Sequence, residues 1–177
     1  MTIGLKRGLL ELVSYDPEWG IFFDNEKNRL RKSIGHIVLA IEHVGSTSIK
    51  NMCSKPIIDI AIGLEKYDDG FKCVEPLRRI GYLYLGERGI PGRHYFRRDS
   101  EIVKCHIHMF EISSTEWESH IMFRDYLRNH EEEAKEYALL KYDLKQKHGD
   151  DREKYTETKT EFINKIIEKA RHAKESD

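Results

Sequence analysis

The segment 56–64 (PIIDIAIGL) constrains this chain most, because it sets one carboxylate, Asp59, inside an otherwise apolar run. Its length and β-branched content predict a buried strand. Ile57, Ile58, Ile60 and Ile62 surround the acid, so the strand reads as apolar on both faces. An ionised carboxylate in such a place needs a cation, a metal or several donors, since an unpaired buried charge is strongly unfavourable. A fold that accepts this strand must therefore also deliver the partners of Asp59.

The surrounding pattern predicts an α/β (α+β) domain with a mixed sheet, flanking helices and a C-terminal helical annex. Residues 16–34 read as a helix, with Asp16 as N-cap, Pro17 at the first position and a stripe of Trp19, Phe22, Phe23, Glu26 and Leu30. Residues 37–44 read as a strand and 67–80 as a helix, which Pro76 kinks or whose start it moves. Residues 81–85 form a third strand, and 86–92 (GERGIPG) a loop. Residues 94–98 and 102–112 pair as antiparallel strands across Asp99-Ser100. Helices then cover 115–130, 132–148 and 152–173, with Gly149 between the last two. This divides the chain into a core, 1–113, and an annex, 114–177, packed as one unit.

Composition bounds the function classes. Hydrophobic residues at 39% and aromatics at 10% supply a core, and a chain of this size buries about 68–70% of its unfolded surface. The 30 Lys+Arg nearly cancel the 31 Asp+Glu, which argues against nucleic-acid binding by bulk electrostatics. No apolar run approaches a membrane span, and the N-terminus is a poor signal peptide. Cys53, Cys73 and Cys105 lack metal spacing and cannot all pair within one chain, so they are expected to pack as small apolar groups. They point to the cytoplasm.

A second motif precedes the acid. Gly45-Ser46-Thr47-Ser48 follows the first strand and leads into a short helical segment. A glycine lets backbone approach a ligand, and hydroxyls with N–H groups at a helix start hold phosphate oxygens. A carboxylate on the neighbouring strand can hold Mg²⁺ against that phosphate. The alternative is a polar turn beside a capping Asp.

Tyr15-Asp16-Pro17-Glu18-Trp19, the stretch 41–48, Lys55-Pro56-Ile57-Ile58-Asp59-Ile60, Gly81-Tyr82, Gly92-Arg93, His106-Ile107-His108 and Phe123-Arg124-Asp125-Tyr126-Leu127-Arg128 together resemble the GrpB-like family. The resemblance covers roughly residues 10–172. That family is similar in fold to the nucleotidyltransferases of the DNA polymerase beta superfamily. It implies a small mixed sheet, a Gly-Ser turn and metal-binding acids on the next strand, with a nucleoside triphosphate as substrate and an unknown small acceptor. Gly45 and Ser46 match the turn, and Asp59 matches the first acid of the Asp-x-Asp pair. Position 61 departs from the pattern. Alternate strand residues share a face, so a second acid at 61 would serve the same metal, and Ala61 cannot. The run Ile49-Lys50-Asn51-Met52 also departs, although Asn51 can take the positive φ that a glycine would supply. With Ala61 in place, a non-catalytic nucleotide- or anion-binding module on the same fold is the rival reading.

Other residues are candidates to complete the site. Glu42 lies on the first strand. His106 and His108 share a strand face about 7 Å apart. They suit two ligands of one metal, a ligand plus an acid–base histidine, or a hydrogen-bonded pair at a sheet surface. The candidate metal set is Asp59, Glu42, His106 and His108. Oxygen ligands suit Mg²⁺, and added imidazoles shift preference toward Mn²⁺ or Zn²⁺. Asp59, Glu42 and Arg124 are the candidate catalytic residues. Arg124 flanks the stripe Phe123, Tyr126, Leu127 and His130, from where it reaches a phosphate or a carboxylate, or else snorkels from the core edge or pairs with Asp125 or a Glu. The phosphate-binding set is Gly45, Ser46, Thr47, Ser48, Lys55, Arg93, Lys141 and Lys159. Tyr137/Lys141 and Tyr155/Lys159 are i, i+4 pairs, which places both lysines in a shared cleft or on solvated faces of charge-rich helices.

Overall fold

The computed structural model describes residues 3–98, 100–148 and 152–175. Asp99, Gly149 and the side chain of Tyr155 lie outside the described residues. In chain order the elements are β1 (Leu5–Lys6), α1 (Glu18–Ile34), β2 (Ala40–Val44), a 3-10 turn (Ser46–Ser48) and β3 (Ile58–Leu64). Then follow α2 (Asp69–Lys72), α3 (Val74–Arg79), β4 (Tyr82–Tyr84), β5 (His94–Arg98), β6 (Ile102–Val103) and β7 (Cys105–Glu111). The annex is α4 (Thr115–Asn129), α5 (Glu131–His148) and α6 (Arg152–Glu175).

Period-two alternation organises the sheet. Its order is β2-β3-β7-β5-β4, with β3 and β7 parallel and the other neighbours antiparallel. On β3, Ile58, Ile60, Ile62 and Leu64 point to one face, where they join Ile41, Phe96, Ile107 and Met109 beneath Trp19, Phe23, Leu30 and Ile34 of α1. Asp59, Ala61 and Gly63 point to the other face. The strand is thus not apolar on both faces. The isoleucines at 58, 60 and 62 all belong to the core side, and Asp59 faces α4. There Val44, Ala61 and Phe110 pack against Trp117.

Several expectations are corrected by the same physics. Residues 67–80 are two short helices broken at Cys73, and Pro76 sits in the first turn of α3, where its missing N–H is harmless. Residues 102–112 are two strands: β7 pairs with β5, while β6 leaves the sheet to pair with β1. β1 is too short to leave a periodic signal. The strand predicted at 37–44 begins at Ala40. α1 starts at Glu18, whose N–H donates to Asp16 Oδ1 at 2.9 Å. Glu26 of its stripe is buried, its carboxylate taken by Arg29, Arg98 and the Tyr82 hydroxyl. All three cysteines are free and buried.

The annex packs on the core through a second cluster. Ile49 and Met52, just past the Gly-Ser turn, meet Phe123, Leu127, Tyr137, Ile166 and Ile167. Asn51 takes φ 61° in that loop. Among the described residues no helix is long and apolar enough to cross a membrane.

His43 sits on the core face of β2, stacked on Phe23 with centroids 4.7 Å apart and with Nε2 3.0 Å from Thr47 Oγ1. Burial drives its pKa down from 6.5 to about 4; Asp59 opposes, while Arg128 and Arg124 push further down. The unfolded chain therefore binds this proton at a higher pH than the folded one. The stability is fully present above pH 6.5 and lost as pH falls toward 4. His43 alone is expected to remove about 2 kcal/mol between pH 7 and pH 5. Denaturant titrations at the two pH values measure it, and His43→Gln should flatten the decline.

Candidate functional site

The register of the sheet assembles the site. Asp59 lies opposite Val44 on β2 and His106 on β7, and Ala61 lies opposite Glu42 and His108. All six share the face toward α4. The methyl of Ala61 leaves room, and His108 from the neighbouring strand reaches the acid across it. His106 Nδ1 lies 3.2 Å from Asp59 Oδ1, and His108 Nε2 lies 3.6 Å from the same oxygen. One ligand atom from each of Asp59, His106 and His108 falls within 4.8 Å of the others, a group able to hold a metal ion. Where Ala61 offers no donor, the neighbouring β7 brings His106 and His108 to the acid.

Electrostatics follow from this packing. Burial pushes the Asp59 pKa up, but hydrogen bonds and attraction from His106 and His108 outweigh it and hold the carboxyl below its usual range. Burial lowers His108 to about 4, so it is neutral at pH 7. Arg93 Nη1 lies 3.3 Å from His108 Nδ1. A guanidinium only donates, so Nδ1 accepts and the His108 proton resides on Nε2, toward Asp59. Arg93 is itself buried, bonded to the carbonyls of Glu87 and Arg88 and set 4.9 Å over the Tyr95 ring.

The Gly-Ser turn closes onto the acid. Gly45 has φ 70° and ψ −175°, and a Cβ there would lie 2.8 Å from Asp59 Oδ2. Ser46 faces a cleft of about 400 Å³ shared with Asp59, Arg93, His108, His120 and Lys159. Its inner wall is apolar, made by Phe123, Tyr137, Ile163 and Ile167 of the annex. Thr47 and Ser48 are turned inward. Thr47 Oγ1 meets His43, Ser48 Oγ donates to the Gly45 carbonyl, and the Ser48 carbonyl takes Arg128.

The remaining candidates are placed as follows. Glu42 stands outside the metal-capable group, its carboxylate taken by Arg124 Nη1 at 2.7 Å. Arg124 also holds Asp125 and the His43 carbonyl, and so braces α4 against β2. Lys141 lies beneath the turn, fully buried, donating to Ser46 Oγ at 3.1 Å and to the Cys53 carbonyl. Burial draws its pKa down to about 7; Cys53 opposes this, and Lys159 adds to it. Lys55 is half-buried at the entry to β3, outside the cleft lining.

Sequence reasoning missed His120. Its Nδ1 is 2.8 Å from the Glu116 carbonyl, a contact only a donor can make, so the neutral ring keeps a lone pair on Nε2. It packs against His108 and Phe110 in the cleft, and burial lowers its pKa. Its position one turn before Phe123 and Arg124 was the available signal.

A mixed five-stranded sheet with a Gly-Ser turn against a strand carboxylate, closed by C-terminal helices, defines a nucleotidyltransferase-like fold. The chain belongs to the GrpB protein family, whose model matches residues 9–169. It is similar to the UPF0157 protein YqkA of Bacillus subtilis, 41% identical over 93% of this chain. The chain spans about half the length of that relative, 48%. The crystal structure of the conserved protein GrpB from Enterococcus faecalis superposes with a TM-score of 0.83 at 35% identity, covering 90% of this chain and 96% of that one. Cid1 in complex with its short product ApU shares the fold at a TM-score of 0.51 and 10% identity, over 75% of this chain and 42% of Cid1.

Proposed function

We propose that this protein is a nucleotidyltransferase-like enzyme that binds a nucleoside triphosphate with a divalent metal. The observation that carries the reading is the convergence of Asp59, His106 and His108 beside Gly45 and Ser46. One carboxylate with two imidazoles fits Mn²⁺ or Zn²⁺ better than Mg²⁺. The fold shared with the Cid1 poly(U) polymerase points toward a nucleotide as ligand.

In this reading Asp59, His106 and His108 hold the metal. When bound, it neutralises phosphate charge and acidifies an acceptor hydroxyl. Ser46 and its turn take the phosphates, Arg93 and Lys159 balance their charge, and the apolar annex wall receives the nucleoside. His120, neutral with a free Nε2, is the group able to accept the acceptor's proton. His108 becomes a ligand at Nε2 only when its proton moves to Nδ1, which requires Arg93 to turn away. An anion that draws the Arg93 guanidinium has that effect, so nucleotide and metal should bind more tightly together than apart.

Millimolar nucleoside triphosphate with Mn²⁺ is expected to raise the melting temperature by roughly 5–10 °C, the shift for saturation near 100 Kd in a chain of this size. His106→Gln combined with His108→Gln should remove the Mn²⁺-dependent part. No shift with any nucleotide and metal would contradict the reading. Asp59 is the one carboxylate lining the cleft among the described residues, which favours a second reading, binding without transfer. Slow pyrophosphate release from bound nucleotide separates the two, and its absence selects the second.

A further inference from the structure

A second cavity of about 400 Å³ opens on the other side of the Asp59 cluster. It shares His106 with that cluster, and Tyr95 and Arg97, from the same sheet face, form its wall. Its floor is a small apolar patch of Leu5, Ile57 and Val103. β1 and the turn after it make the outer rim and bring Lys6 and Arg7 toward Arg88 and Arg97. Among the described residues, four cationic side chains and no carboxylate therefore line this cavity. None of the four is in an ion pair among the described residues, and the buried Nε of Arg97 has no hydrogen-bond partner. A buried donor without an acceptor is rare in a folded chain and points to a partner that arrives from outside.

The Tyr95 ring packs against both His106 and His108, with centroids 5.5 and 5.3 Å away. Burial raises the pKa of its hydroxyl and Asp59 adds to this, while Arg93, Arg97 and Arg88 pull it back. The metal-capable cluster thus stands between two cavities of similar size: one beside the Gly-Ser turn, the other basic with an apolar floor.

We propose that the cavity lined by Lys6, Arg7, Arg88 and Arg97 binds the phosphate of a small phosphorylated acceptor, whose reacting hydroxyl extends past His106 toward Asp59. The small volume, about 400 Å³, and the near-zero net charge of the chain favour a small phosphomonoester over a nucleic-acid backbone. Guanidinium groups match phosphate oxygens in bidentate fashion, and the apolar floor receives the carbon skeleton. In transfer, the acceptor oxygen forms a bond to the α-phosphorus of the nucleotide, and the bond to the pyrophosphate oxygen breaks. The acceptor proton goes to His120 Nε2, and pyrophosphate leaves with the bonding electrons. The acceptor assignment rests on the proposed function; the anion site does not.

The test is calorimetric titration of the full chain with inorganic phosphate, with ribose 5-phosphate and with a nucleoside triphosphate plus Mn²⁺. Arg97→Gln removes an unpartnered buried donor, so it should fold at least as well as the parent, and Arg7→Gln is at an exposed turn. Each is expected to weaken phosphate and ribose 5-phosphate binding tenfold or more and to leave nucleotide binding within twofold. Phosphate affinity unchanged in both variants, or no phosphate binding by the parent, would overturn the site. Loss of nucleotide binding in step with phosphate would overturn the separation of two cavities. Tighter binding of a single-stranded oligonucleotide than of ribose 5-phosphate, with a steep salt dependence, would overturn the small-molecule assignment. Phosphate binding at this site in a protein that binds no nucleotide would refute the proposed function and leave the anion site standing.

Discussion

Asp59→Asn is expected to weaken Mn²⁺-dependent nucleotide binding by a hundredfold or more while leaving the melting temperature within a few degrees of the parent. The binding loss follows from the ligand set. Asp59 is the one carboxylate in the metal-capable group, and two neutral imidazoles alone are a weak site for a hard cation. A hundredfold loss corresponds to about 2.7 kcal/mol. The small stability effect follows from its partners. Asn keeps an acceptor for the His106 Nδ1 proton. No Arg or Lys is ion-paired with Asp59 among the described residues, so no buried cation is orphaned by the change. A variant that melts far below the parent yet binds metal and nucleotide normally would make Asp59 a scaffold residue.

Gly45→Ala is expected to lower both stability and binding. At φ 70° and ψ −175° the backbone occupies a region reserved for glycine, which costs roughly 1–3 kcal/mol for any other residue. The added methyl also presses on Asp59 Oδ2 from 2.8 Å, and on Asp59 Cβ from 3.3 Å. Relief requires the turn or the acid to move, so the damage reaches the site directly. The expected fall in melting temperature is about 4–10 °C, with nucleotide binding lost beyond what the stability change explains. An unchanged melting temperature would show that the turn does not hold this conformation. The glycine is present because backbone and carboxylate meet here with no space between them.

The sequence showed α1, β5 and the three annex helices to within two residues or so, because each carries a strong period or a turn signal at its ends. It showed the ingredients of the site as well: Asp59, Ser46, and His106 with His108. The misreading of β3 is instructive. The alternation Ile58, Ile60, Ile62, Leu64 against Asp59, Ala61, Gly63 is plain once small residues are counted as the open face rather than as core. That face is small because His108 needs the space over Ala61. That Arg124 pairs with a carboxylate was legible; that its distant partner is Glu42 was not. Their pairing joins β2 to α4 across 82 positions, a distance no local period encodes. The basic cavity was missed for a similar reason, since β1 and β6 are two residues each and find one another only in three dimensions. The one signal for His120, its place a turn before Phe123 and Arg124, was weak, because a histidine within a helical row looks the same whether it faces solvent or a cleft.

The central claim is that one metal ion binds Asp59, His106 and His108 next to a nucleotide held by the Gly45–Ser46 turn. Pulsed electron paramagnetic resonance of Mn²⁺ added with a nucleoside triphosphate tests it directly. The account predicts nitrogen couplings from imidazole and phosphorus couplings from the nucleotide in one complex, the nitrogen couplings vanishing in the double His106→Gln, His108→Gln variant. A spectrum showing phosphorus without imidazole nitrogen would place the metal on the nucleotide alone and contradict the account.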